Sequence, residues 1–131
     1  MIGLDTSVLL RLWLNDDPAQ NRRIDRLLAE HGGTPGALLV TDVVLAEAVW
    51  TLRSAYRQDK ASQLIAVRSL LDEPAFAFED RETVVMAVGM FEQAACGFSD
   101  CLVVARNARL GSAFTATFDR RMRKLPGVRI V

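Results

Sequence analysis

A chain of 131 residues, half of them apolar, has the usual size of one compact domain and can bury a substantial core, so a single domain spanning residues 1–131 is expected. Sixteen basic residues balance sixteen acidic ones, a charge that neither demands nor excludes nucleic acid and leaves any such role to local patches. No basic leader precedes the first apolar run, Asp5 and Arg11 interrupt it, and no segment approaches the roughly 18 uninterrupted apolar residues of a membrane span. The simplest reading is a cytoplasmic chain with no membrane partner. Cys96 and Cys101 lie five apart without a companion at zinc spacing, and His31 is the chain's one histidine. The cysteines therefore read as small core residues, and His31 as a surface residue at a helix end.

In chain order, Ile2 and Leu4 suit a short buried strand that runs into Asp5. Thr6 or Ser7 is expected to cap a helix carrying Val8, Leu9, Leu10, Leu12, Trp13 and Leu14. Ligands of open α/β sheets bind at the carboxyl ends of strands, which places Asp5 well for chemistry, although Asp is also a common helix cap. Asp17 and Pro18 restart a helix that Gly32 and Gly33 stop, with Ile24, Leu27 and Leu28 as its inner stripe. Residues 37–40 form a second strand, and Thr41 or Asp42 caps a helix running to about Tyr56.

Within that helix Glu47 is one acid among Val43, Val44, Leu45, Ala46, Ala48, Val49 and Trp50. An unpaired charge buried there would cost several kcal/mol, so Glu47 must face a partner, a cation or solvent. A further helix from about Lys60 to Leu71 completes an arm whose apolar residues exceed what a small sheet needs, which suits either burial on the sheet or a partner surface. Phe76–Phe78 is a third strand, and Asp80 caps a helix expected to reach about Ala94. Residues 98–100 lead into a helix closed by Gly111, with Asp100 at its first turn. Residues 112–117 form a fourth strand that ends in Phe118 and Asp119, repeating the strand-then-acid arrangement of Asp5. A basic turn follows, with Arg120, Arg121, Arg123 and Lys124, and residues 128–131 supply an edge strand.

The alternation of strands and helices predicts an α/β fold, a mostly parallel sheet of four to five strands flanked by helices. Right-handed crossovers bring Asp5, Asp119 and the start of the Glu47 helix to one edge; Asp100 joins them only if the helix over 81–94 returns the chain there. Four converging carboxylates would repel one another and hold protons above their usual pKa of about 4. A divalent cation removes that conflict, and an oxygen-only set selects Mg²⁺ or Mn²⁺ over zinc. Such ions activate water for phosphodiester hydrolysis, and no His or Ser-His pair offers a competing nucleophile or base.

On Ile2-Gly3-Leu4-Asp5-Thr6-Ser7, Leu45-Ala46-Glu47, Phe98-Ser99-Asp100-Cys101-Leu102 and Thr115-Ala116-Thr117-Phe118-Asp119, the whole chain resembles the PIN-domain ribonucleases, and most closely the VapC toxins of toxin-antitoxin pairs. All four family acids are present in order. The resemblance implies a three-layer PIN-like fold with Asp5, Glu47, Asp100 and Asp119 lining the metal site, Asp5 and Asp100 most directly. Thr6, Ser7 or Thr117 would be hydroxyls behind them. It also implies an RNA substrate, a homodimer and an antitoxin protein whose tail covers the groove. Arg120, Arg121, Arg123 and Lys124 stand where RNA phosphates could bind, though a basic turn is usually just solvated.

Three rival readings remain. A haloacid-dehalogenase-like phosphatase wants Asp-x-Asp-x-Thr, and the third position here is Ser7. A receiver-type phosphorylation module wants adjacent acids after the first strand, and Asp5 has none. A PIN-like dimer that binds RNA or protein without cutting differs only in lacking cleavage.

Overall fold

Three short apolar runs pair in parallel to build the first sheet: β1 (Ile2–Gly3), β2 (Leu38–Val40) and β3 (Phe76–Phe78), in the order β1-β2-β3. Ile2 lies opposite Leu38, and Leu38 opposite Phe76. Parallel neighbours need long crossovers, and each crossover here is a pair of helices. α1 (Thr6–Leu14) and α2 (Pro18–His31) join β1 to β2, while α3 (Asp42–Ser54) and α4 (Lys60–Asp72) join β2 to β3. The computed structural model describes residues 1–131, and these elements make up the first of its two compact units, Met1–Glu79. Its core gathers Leu9, Leu38, Val40, Leu45, Leu52 and Val67, all nearly free of solvent.

The helix ends follow local chemistry. Asp17 accepts from Gln20 N at 3.0 Å and Asp59 from Ser62 N at 2.9 Å, each satisfying an amide that its helix leaves free. Gly32 closes α2 because a Cβ there would lie 2.7 Å from the Leu28 carbonyl oxygen. Two caps are chosen from among those the sequence left open. Asp5, not Thr6 or Ser7, is the N-cap of α1. Thr41 is the N-cap of α3, without a side-chain cap bond; Glu79, just past β3, accepts from Asp42 N at 2.8 Å.

The second unit, Asp80–Val131, packs α5 (Arg81–Phe91) on α6 (Phe98–Arg109) and adds a parallel pair, β4 (Thr115–Thr117) and β5 (Val128–Ile130). Phe91 and Phe98 meet edge to face, 5.7 Å between centroids. α5 ends at Phe91, three residues before the expected boundary, in turns that bond Gln93 N to Met90 O and Ala94 N to Phe91 O. α6 starts at Phe98, capped by extended Gly97, so Asp100 lies inside its first turn. β4 begins at Thr115 rather than Ser112, because Ser112 N still bonds the Asn107 carbonyl at the end of α6. Every strand pairing is parallel and the class is α/β, as the sequence predicts, but the five strands form a three-stranded and a two-stranded sheet rather than the expected single sheet of four to five.

Asp80, at the start of α5, accepts from Arg109 Nε at 2.8 Å and from the Thr83 hydroxyl at 2.9 Å. The Arg109 guanidinium, helped by Thr83, lowers the Asp80 pKa from 3.8 to about 2. A folded-state value below the unfolded one stabilises the fold above pH about 4, and the benefit vanishes as pH falls through about 2. Asp80→Asn is expected to lower the urea midpoint at pH 6 and to shrink the difference in midpoint between pH 6 and pH 2.5. An unchanged difference in the variant would exclude this pair as a source of acid sensitivity.

Candidate functional site

In the first unit, β1 ends where α1 starts, and Asp5 stands at the junction in an extended conformation. Its Oδ2 accepts from the Ser7 hydroxyl at 2.9 Å and from Ser7 N at 3.4 Å. The Ser7 hydroxyl, then its N–H, holds the Asp5 carboxyl below the usual carboxylate range. Capping and ligation are compatible, since both bonds fall on one oxygen of the pair. The next residue, buried Thr6, donates its hydroxyl to Glu47 Oε2 at 3.1 Å and so ties α1 to α3. Glu47 itself is exposed, on the side of α3 away from buried Leu45, Ala48 and Leu52. Its charge therefore reaches solvent, and its bonded partner is the Thr6 hydroxyl. Neither Asp5 nor Glu47 takes part in the ion pair of Arg11 with Asp16 or in the contact of His31 with Glu30.

In the second unit, Asp100 occupies the third position of α6 and accepts from Gly97 N through Oδ2 at 3.2 Å. An acid in the first turn also meets the positive end of the helix dipole. Asp119 follows β4 and is held on both oxygens: Arg121 N and Nε lie 2.9 and 3.1 Å from Oδ1, and Arg121 Nη2 lies 2.9 Å from Oδ2. That guanidinium keeps the Asp119 carboxyl below its ordinary value. Asp119 and Asp100 both act on Arg121, raising its pKa. Both acids also add to the burial that pushes the Cys96 thiol up, so they share one neighbourhood. Thr117 serves Asp119 through the backbone, its hydroxyl accepting from Asp119 N at 3.0 Å.

The expected upward pull on converging carboxylates is thus absent at Asp5 and Asp119, because Ser7 and Arg121 already answer their charge. Each unit brings together two of the predicted acids, and neither alone gathers three into a metal cage. The donor set suits a hard cation: every predicted ligand is a carboxylate oxygen, and on Asp119 a guanidinium already occupies a cation's place. Cys96 and Cys101 are buried, unbridged core residues, and His31 sits exposed at the end of α2, as the sequence indicated.

Arg120, Arg121, Arg123 and Lys124 are exposed around a 3₁₀ turn, Arg120–Met122. They line a groove of about 1110 Å³ in the second unit, together with Met86, Met90 and Phe114. Neither the groove nor the Arg121–Asp119 pair is visible in periodicity or spacing; only the run of cations pointed to the place.

A family profile for the PIN domain matches residues 2–128. The chain is similar to a VapC ribonuclease of Aquifex aeolicus (strain VF5), 25% identical over 122 residues, which cover 93% of this chain and 90% of the relative.

Proposed function

The chain belongs to the PIN-domain family, and from that membership we propose that it is a metal-dependent endoribonuclease, the toxin of a VapBC-type toxin-antitoxin pair. The observation that carries the reading is the state of its acids. Asp5, Glu47, Asp100 and Asp119, the positions that match the family's pattern, all retain solvent exposure, and each is oriented by a bond from its own unit. Similarity to a VapC ribonuclease over nearly the whole chain supports RNA as the substrate and an antitoxin protein as partner.

On this reading Asp5, Glu47, Asp100 and Asp119 would hold Mg²⁺, with Mn²⁺ also suited to an oxygen-only set. The bound ion supplies activation of water and neutralises charge that builds on the scissile phosphate. The protein supplies orientation. Ser7 holds Asp5, Thr6 holds Glu47 and Gly97 N holds Asp100, so the ligands are placed before a cation arrives. Asp5 and Asp119 have lowered pKa values, so both are ionised at neutral pH and lose no proton on binding metal. Arg120, Arg123 and Lys124 receive RNA phosphates beside Asp119.

Val43, Trp50 and Ile65 expose apolar surface on α3 and α4, which supports a homodimer or antitoxin contact on the arm. No helix is long and apolar enough to cross a membrane. We place the protein in the cytoplasm with its RNA.

The test is cleavage of a mixed RNA pool by the full chain. Scission is expected with Mg²⁺ or Mn²⁺, to stop with EDTA, and to return when Mg²⁺ is restored in excess. Retention of RNA without scission in either metal would replace the nuclease by the non-cleaving binding module.

A further inference from the structure

Arg121 does two things at once. Its guanidinium covers both carboxylate oxygens of Asp119, and the residue also lines the groove of the second unit with Arg120, Arg123 and Lys124. We propose that Arg121 is an exchangeable counter-cation: it neutralises Asp119 in the free chain and moves to a phosphate when a single strand of RNA enters the groove, so RNA and metal binding assist each other. The proposal rests on the reading of Asp119 as a metal ligand.

A carboxylate gripped on both oxygens by a guanidinium is a poor metal ligand, because the ion must first displace charge-assisted bonds. The grip is nevertheless loose. The Arg121 side chain is 63% exposed, and exposed ion pairs typically shift equilibria by no more than about fivefold. A guanidinium forks onto phosphate as readily as onto carboxylate, so exchange replaces one pair of bonds by an equivalent pair. Three further cations on the same groove add attraction for a polyanion.

The other lining residues indicate which polyanion. Met86, Met90 and Phe114 are apolar, and the Phe114 ring already carries the Arg129 guanidinium at 3.7 Å from its centroid, so it accepts a flat partner. Unpaired bases offer faces for such contacts; a duplex keeps its bases stacked on each other. Because linkage is reciprocal, whatever RNA does to metal affinity, metal must do to RNA affinity.

The test measures Mn²⁺ binding to the full chain by calorimetry, with and without a 2′-O-methyl single-stranded oligonucleotide. For the wild type, the oligonucleotide should tighten Mn²⁺ binding by about two- to fivefold. Arg121→Ala should bind Mn²⁺ tighter by a similar factor without oligonucleotide and gain nothing more when it is added. Arg123→Ala, which removes an equal charge from the groove, should keep wild-type Mn²⁺ affinity and bind the oligonucleotide less well. Equal tightening in Arg121→Ala and Arg123→Ala, or none in Arg121→Ala, would overturn the exchange. A duplex that tightens Mn²⁺ binding as much as the single strand would overturn the assignment of the groove to single strands. Asp119→Asn separates the two levels. If it leaves Mn²⁺ binding intact, the ligand reading and the exchange fall together; if it weakens binding while Arg121→Ala has no effect, only the exchange falls.

Discussion

Asp5→Asn and Asp100→Asn are each expected to reduce RNA cleavage by at least about a hundredfold while leaving the thermal midpoint nearly unchanged. Asparagine isolates charge from structure at both positions. At Asp5 the side-chain oxygen that accepts from Ser7 N and Oγ is kept, and Asn caps a helix about as well as Asp. At Asp100 the bond from Gly97 N survives in the same way. What each variant loses is one unit of negative charge at a proposed metal ligand, and on that proposal the loss should appear as weaker Mn²⁺ binding as well as slower cleavage. Alanine at either site would remove a cap bond too and mix the two effects. Initial rates on a fixed RNA at saturating Mg²⁺ decide the matter; activity within about tenfold of wild type in both variants would remove these acids from the chemistry.

Much of the first unit was legible because its signals are local. Asp17-Pro18 and Gly32 mark both ends of α2 within a few residues, and the apolar runs at 38–40 and 76–78 need no distant partner to be recognised as strands. The four candidate acids drew notice for a different reason: each follows a strand or sits in the first turns of a helix, where a charged residue stands out. What stayed hidden depends on chain brought from elsewhere or on exact backbone geometry. Glu79 caps α3 from 37 residues away, so no window around Thr41 contains the information. Asp5 was one of three caps open in the sequence, and the choice over Thr6 and Ser7 follows from β1 ending at Gly3, one residue earlier than its apolar run suggests. The early start of α6 follows from Gly97, whose extended backbone opens the helix and donates to Asp100. Arg121 reaches back to Asp119 only through the 3₁₀ turn, a geometry that a run of basic residues does not disclose.

Phe98→Ala is expected to cost about 3–5 kcal/mol of stability, the range for deleting a buried aromatic ring. Phe98 is 2% exposed, and its ring stands at 72° to that of Phe91, so truncation removes an edge-to-face contact and leaves a cavity between α5 and α6. Stability of a domain is typically about 5–15 kcal/mol in total, so one ring could account for a third of it or more. The expected readout is a lower urea midpoint with an unchanged slope. Phe98→Leu fills most of the space and should lose clearly less. The position also bears on function, because Phe98 opens α6 two residues before Asp100 and anchors the turn that carries it. If that role is scaffolding alone, Phe98→Ala assayed well below its lowered midpoint should keep most of its cleavage rate, whereas Asp100→Asn should keep almost none at any temperature. Loss of activity in a still-folded Phe98→Ala would show instead that the seat of α6 sets the geometry of Asp100, making packing between α5 and α6 part of the catalytic apparatus.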